Sequence, residues 1–320
     1  MQDVLNVGID VAKAELVIAV VDHPEWSATI SNRADQIKRW LNRLPTGSRI
    51  AVESTGEYHR ALVTLAQEGG FSTYVLNARD VYFYAKALGK RGKTDRTDAQ
   101  VISRYLREHH AHLHCFKAGG PVEQEIDHLL RRRAVVVVQR DSLVHSLRNL
   151  PCLDKPVRRL IKEFDNLLAA MDQEVTALIN RQVDLAAAST QLQTVPGIGL
   201  QGAALLTCLF QRIEFNNADA VVAFSGLDPR PMDSGQKRGR RRLSKRGPAL
   251  LRRQLYMMAF SASRTRAFKP VYQALRARGL SSTAAFVILG RKLLRIAFAL
   301  WRTKSDFEVE RWAKNACIEL

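Results

Sequence analysis

The sequence predicts an α/β N-terminal domain of ribonuclease H-like order, then a helical linker, then a mostly helical C-terminal part. Three observations carry this prediction. Apolar, β-branched runs in residues 4–77 follow the order strand, strand, strand, helix, strand, helix, strand, which implies a mixed sheet with helices packed on it. After Asp98 the patterning turns helical and stays so. Between the two regions an apolar seam alternates steps of three and four residues.

Residues 4–22, "VLNVGIDVAKAELVIAVVD", read as two β runs joined by a short polar connection, a hairpin. "SATISN" (27–32) is a candidate third strand, and Ile37, Leu41 and Leu44 space a helix over 34–44. "RIAVEST" (49–55) is short and nearly all apolar, the pattern of a strand buried on both faces. A helix over 58–69 closes on Gly69 and Gly70, and "STYVLN" (72–77) is the next strand. Residues 122–149 read as helix despite "VVVV" at 135–138, because leucines flank that run at helical spacing; Pro151 and Pro156 interrupt. The seam then runs Ile161, Phe164, Leu168, Met171, Val175, Leu178. It predicts a coiled coil or helical hairpin, with packing on its own domain's core the equal alternative. "TVPGIGLQGAALL" (194–206) fits a helix-hairpin-helix turn. Pro196, Gly197 and Gly199 would form its bend, and the next helix would offer free N–H groups to a phosphate; a simple helix–helix turn is the alternative. Residues 248–263 and 283–303 are amphipathic basic helices. The expected domains are 1–115, a linker over 116–190, and 191–320.

The chain of 320 residues is 46% hydrophobic, which excludes disorder. With no run of eighteen apolar residues and no leader pattern, a soluble, non-exported, cytoplasmic and nucleoid-associated protein is expected. Cys115, Cys152, Cys208 and Cys317 form no CxxC pair, which argues against zinc ribbons and disulfides. The net charge of +18 is concentrated: from Arg230 to Lys304 twenty Lys or Arg face one acid, so that window holds +19 and the rest is near neutral. Such a field attracts polyanions. Its peak is "RPMDSGQKRGRRRLSKRG" (230–247). Composition alone does not exclude a ribosomal-type or chromatin-type binder with no chemistry.

Four acids stand out by position. Asp10 lies within the apolar strand "VGIDVA", where a charge is costly unless paired. Glu53 ends the buried run "IAVES", and Asp95 and Asp98 in "KTDRTDA" share one helix face. In a ribonuclease H-like sheet the first and fourth strands are neighbours, so Asp10 and Glu53 converge, and a helix laid across the sheet can bring the Asp pair to them. Four carboxylates in one volume suit divalent cations, and two Mg²⁺ ions about 4 Å apart are the usual arrangement for phosphodiester chemistry. Taken singly, each acid has an ordinary alternative: a hairpin closure at Asp10, a helix cap at Glu53, caps in Thr94–Asp98. The alternating His110, His112 and His114 would share a face on a strand, but no second ligand cluster completes a metal site, and a surface linker is favoured.

"GIDVAK", "VESTG", "KTDRTDA", "VPGIG", "FSGLDPR" and "DSG…RG…LSKRG…LLRRQLY" occur in this order over residues 6–303. Together they resemble the DEDD-type insertion-sequence transposases of the Piv/MooV-like group, which includes site-specific DNA invertases. The resemblance implies a RuvC-like domain carrying Asp10, Glu53, Asp95 and Asp98 as catalytic and metal-binding acids. It also implies a coiled-coil linker and a C-terminal transposase domain with a nucleophilic serine, which maps to Ser234. Ser244 is the rival, with a cap or a phosphate contact as its other role. The family implies cutting and rejoining of donor and target DNA through a phosphoserine link, guided by a noncoding bridge RNA. The nucleic-acid-binding candidates are Gly197, Gly199, Lys237, Arg238, Arg240, Arg241, Arg242, Lys245, Arg246, Arg252 and Arg253. Exchange between two duplexes needs at least two serines, so a homodimer assembling to a tetramer is expected. A RuvC-like metal-dependent nuclease and a non-catalytic nucleic-acid binder are the alternatives.

Overall fold

The computed structural model describes residues 4–54, 57–89, 92, 94–230, 239 and 241–310. The chain divides into two compact units, residues 1–118 and 119–320.

The first unit is built on a five-stranded sheet of order β3-β2-β1-β4-β5. Its strands are β1 (Asn6–Val11), β2 (Glu15–Val20), β3 (Ala28–Ser31), β4 (Arg49–Glu53) and β5 (Ser72–Leu76). β2 runs antiparallel to β1 and β3, whereas β4 runs parallel to β1 and β5. The parallel pairs need crossovers, and α1 (Ala34–Leu41) and α2 (Arg60–Glu68) supply them. Gly70 closes α2 at φ +79°, as the glycine pair foretold. The expected element order is therefore present, with β3 shorter than the expected strand.

Both faces of the sheet are covered, which is why the β4 sequence reads as continuous apolar residues. On one face Val7, Ile9, Ile50 and Val52 pack with Ile37 of α1 and Leu62 and Val63 of α2. On the other, Ala51, Tyr74 and Leu76 pack with Val81 of α3 (Ala78–Ala87) and Val101, Ile102 and Leu106 of α4 (Asp95–His109). Sequence patterning did not disclose α3. The His-rich stretch forms a short 3₁₀ turn at His110–His112 rather than a strand, so the alternation of its histidines defines no common face.

The second unit is helical. α5 (Pro121–Ser146) contains the "VVVV" run as helix, and α6 (Asp154–Asn180) returns antiparallel to it. Arg133 grips Asp172 through Nε at 2.7 Å and Nη2 at 2.8 Å, and Arg140 Nε donates to Asp165 at 2.8 Å. The heptad seam faces α5 in a helical hairpin: Leu168, Val175 and Leu178 are buried, the last two beside Ile126 and Leu130 of α5, whereas Ile161, Phe164 and Met171 are half-buried. Pro156 does not interrupt; it sits in the first turn of α6, where its missing N–H has no intrahelical partner to lose.

The remaining helices are α7 (Val183–Gln193), α8 (Leu200–Arg212), α9 (Ala218–Ser225), α10 (Ala249–Ala262), α11 (Lys269–Ala277) and α12 (Ser282–Thr303). Leu289, Leu293, Leu294 and Ala297 of α12 form the centre of their core, with Leu206 and Phe210 of α8 and Leu255 of α10. A two-stranded ribbon, β6 (Pro229–Arg230) with β7 (Arg242–Leu243), lies between α9 and α10 in the chain. Among the described residues no helix is long and apolar enough to cross a membrane. Cys115, Cys152 and Cys208 are free thiols.

Candidate active site

The position of the acids follows from strand register. β1 pairs with β4 through Gly8↔Ala51 and Ile9↔Val52. One further step in this register sets Asp10 beside Glu53, at the carboxyl ends of two parallel neighbours. Ala51 belongs to the face covered by α4, and the period of two puts Glu53 and Asp10 on that same face. Both are half-buried. Asp10 lies in the ladder opposite Val17, not in the hairpin turn, which Ala12 N closes onto the Glu15 carbonyl at 3.0 Å.

α4 lies directly on β1 because residue 8 is glycine. A Cβ there would stand 2.1 Å from Ser103 N and 2.3 Å from Ala99 O, so any other residue would push the helix away. The Ser103 hydroxyl donates to Asn6 O at 2.7 Å and accepts from Val21 N at 3.1 Å, which pins the crossing. Ser103 therefore meets Gly8 through its backbone and Asn6 through its hydroxyl, and Ala99 meets Gly8 as well. α4 thus crosses β1 at Gly8, and its first turn lies beyond Ala99, on the side away from Ser103. That turn carries Asp95, exposed, and Asp98, half-buried. Thr94 is the N-cap, accepting from Thr97 N at 3.2 Å, so neither aspartate has the capping role.

Strand register thus sets Asp10 and Glu53 on neighbouring strands of one sheet face, and the helix that crosses this face at Gly8 opens with Asp95 and Asp98. Their carboxylates are hard oxygen donors of the kind that suits Mg²⁺, and the donor set fits a divalent cation. Among the described residues no three acidic, His or Cys side chains are gathered at metal-ligating distance.

In the second unit, the ribbon pairs Pro229 with Leu243 and Arg230 with Arg242. Ser234, Lys237, Arg238 and Arg240 belong to the connection between its strands and lie outside the described residues. Ser244 is buried; its hydroxyl donates to Asp228 Oδ1 and its amide to Asp228 O at 3.0 Å. Asp228 Oδ2 also lies 3.7 Å from Arg230 Nε. The flanking motifs interlock: Gly226, at φ +71°, has no room for a Cβ beside Gly247 N at 2.6 Å, and a Cβ on Gly247 would meet Phe224 O at 2.1 Å.

The basic candidates differ in setting. Arg241, Arg242, Lys245 and Arg246 are exposed. Arg252 donates to Gly247 O, and burial lowers its pKa. Arg253 donates to Ala134 O at 2.8 Å, so both guanidinium groups take part in holding the fold. Gly199 is the exposed N-cap of α8, with open space around it. Gly197, at φ +103°, is pressed against Ala262 of α10.

Two residues absent from the candidate set belong to this neighbourhood. Asp228 is one, and its signal was available in "FSGLDPR". Arg291 of α12 is the other: burial lowers its pKa, the nearby Asp228 opposes that, and its buried Nε has no hydrogen-bond partner.

Residues 7–155 match a DEDD transposase family model of the IS110 type, and residues 189–273 match the model of transposases of the IS116/IS110/IS902 family. The pilin gene-inverting protein of Moraxella lacunata is 25% identical over 94% of this chain and 97% of its own length. The transposase for insertion sequence element IS1111A of Coxiella burnetii is 25% identical over 79% of this chain and 76% of its own. The first match spans the strands and helix that carry the four acids, the second the turn and ribbon of the helical unit, and the chain belongs to the IS116/IS110/IS902 family of transposases, enzymes that act on DNA.

Proposed function

We propose that the chain is an insertion-sequence recombinase that cuts and rejoins donor and target DNA through a phosphoserine intermediate at Ser234. The observation that supports the reading is the register that sets Asp10 and Glu53 on neighbouring parallel strands, on the face that α4, with Asp95 and Asp98 in its first turn, crosses at Gly8. In this reading residues 1–115 are a RuvC-like domain, 116–190 a helical linker and 191–320 the transposase domain, with 194–206 a helix-hairpin-helix grip on the backbone.

Asp10, Glu53, Asp95 and Asp98 hold the divalent cations, two Mg²⁺ per site. When bound, the ions supply Lewis-acid stabilisation of phosphoryl oxygens. Ser234 Oγ bonds to phosphorus as the bond to the departing strand oxygen breaks; the serine proton passes to a base and the departing oxygen takes one up. The strand end of a partner duplex then attacks the phosphoserine and releases the hydroxyl. Lys237, Arg238, Arg240, Arg241 and Arg242 hold and polarise the phosphate, and Lys245 and Arg246 extend that surface. A bridge RNA supplies the sequence reading, and a dimer pairing into a tetramer brings two serines to each exchange.

The test is a covalent-adduct assay on Asp10→Ala and Ser234→Ala with donor DNA, guide RNA and Mg²⁺. Both variants should lose strand exchange, and Ser234→Ala should form no adduct. Adducts that survive Ser234→Ala refute the assignment. Cleavage surviving in Ser234→Ala, but lost in Asp10→Ala, indicates a metal-dependent nuclease instead.

A further inference from the structure

α3 is a helix with two unlike faces. Val81 is buried, and Tyr84 packs edge-on against Tyr105 at 5.1 Å and donates to Glu108 Oε2 of α4 at 2.5 Å. That face fixes the helix to α4. The outward residues Tyr82 and Phe83 are each 53% exposed, an unusual place for two large rings. The rings meet edge to face at 5.5 Å. Each carries a cation: Lys86 Nζ stands 4.7 Å from the Tyr82 centroid and the Arg79 guanidinium 5.5 Å from that of Phe83.

We propose that this surface is a stacking platform for an unpaired strand of the DNA substrate. Bare rings flanked by cations match a nucleobase joined to a phosphate: the base stacks on the ring and the phosphate lies near the cation. Charge complementarity chooses this occupant over an apolar protein partner. From Arg79 to Arg96 the sequence holds six Lys or Arg against Asp80 and Asp95. A paired duplex keeps its bases stacked internally and offers the rings no face, so the ligand is unpaired. α3 packs on the C-terminal half of α4 through Tyr105 and Glu108, so the platform belongs to the same unit as the acids, with Asp95 and Asp98 at the other end of α4, about 15 Å along its axis. The inference rests on the recombinase reading for the identity of the strand as substrate DNA.

The test uses the full chain, in EDTA so that no cleavage occurs, with a DNA duplex containing a short unpaired bubble labelled with 2-aminopurine. Wild type should quench the probe on binding. Tyr82→Ala/Phe83→Ala should bind the bubble about tenfold or more weakly and leave quenching absent, with fully paired DNA bound as before. Tyr82→Trp/Phe83→Trp should restore both. An unchanged melting temperature of the alanine variant confirms that it folds. Equal bubble binding by wild type and the alanine variant overturns the proposal, as does an equal loss on paired DNA. A loss confined to an RNA bubble overturns it too, by assigning the rings to the guide. Because this assay reads binding without chemistry, its failure is separate from a failure of the adduct assay.

Discussion

The Ser244 hydroxyl donates to the carboxylate of Asp228, while the Ser244 amide donates to the Asp228 carbonyl at 3.0 Å. The two residues close the chain just outside the ribbon strands, so the segment containing Ser234 is entered and left through a tied neck. This separates the two serines by role. Ser244→Ala should remove one buried hydrogen bond and cost about 1–2 kcal/mol, read as a lower unfolding midpoint, while covalent adducts still form. Ser234→Ala should leave the midpoint unchanged and remove the adduct. Loss of adducts in both, with an unchanged midpoint for Ser244→Ala, would refute this division.

Gly8 provides a second test, because its obstacle is backbone. The atoms a Cβ would meet are Ser103 N at 2.1 Å and Ala99 O at 2.3 Å, neither of which can swing aside as a side chain can. Gly8→Ala should lift α4 from β1 and cost about 1–3 kcal/mol or more in chemical denaturation. It should also draw Asp95 and Asp98 away from Asp10 and Glu53, so Mg²⁺-dependent strand exchange should fall even at temperatures where the variant stays folded. Wild-type stability would contradict the packing directly.

The strand order was legible because each strand is a short apolar run between turn residues, and the five elements after the first hairpin alternate. Asp10 and Glu53 were legible for the same reason, as charges set in apolar runs. The crossing of α4 was not: it depends on Gly8 meeting Ala99 and Ser103, a contact that neither segment's pattern announces. α3 was hidden because exposed Tyr82 and Phe83 spoil its amphipathic stripe. The heptad seam left coiled coil and hairpin undivided, since the pattern of one helix does not name its partner; Arg133 with Asp172 and Arg140 with Asp165 identify it as α5. Arg252 and Arg253 read as phosphate ligands by charge alone, and their internal acceptors, Gly247 O and Ala134 O, come from other segments.

Gly197 separates backbone strain from phosphate binding in the α7–α8 turn. Its φ of +103° and the Ala262 Cβ at 2.5 Å from a built Cβ both oppose a side chain. Gly197→Ala should destabilise by about 1–3 kcal/mol. Ala262→Gly should not rescue it in full, because Ala262 N and Cα also stand at 2.7 Å. Gly199→Ala meets nothing within 4 Å and should fold normally, so a loss of DNA affinity in that variant alone would report on the exposed α8 N-terminus.

The last prediction concerns the clasp that holds α3 to α4. The hydrogen bond from Tyr84 and then that from Arg104, at 2.9 Å, hold the Glu108 carboxyl down at about 2 against burial, below an ordinary value of 4.5. Burial first, then the Glu108 bond, pushes the Tyr84 hydroxyl up to about 12. For a carboxyl whose folded pKa is depressed, the stabilisation is complete above the unfolded value. It disappears as pH falls through the folded one, here between about 4.5 and about 2. Glu108 is a partly exposed group, so its share of global stability is small and the site-specific titration is the sharper readout. Tyr84→Phe removes the largest cause while leaving Arg104, so the Glu108 midpoint in a carboxyl NMR titration should rise but stay below its ordinary value. A midpoint that does not move would mean that Tyr84 does not hold Glu108, and that α3 is fixed to α4 by apolar packing alone.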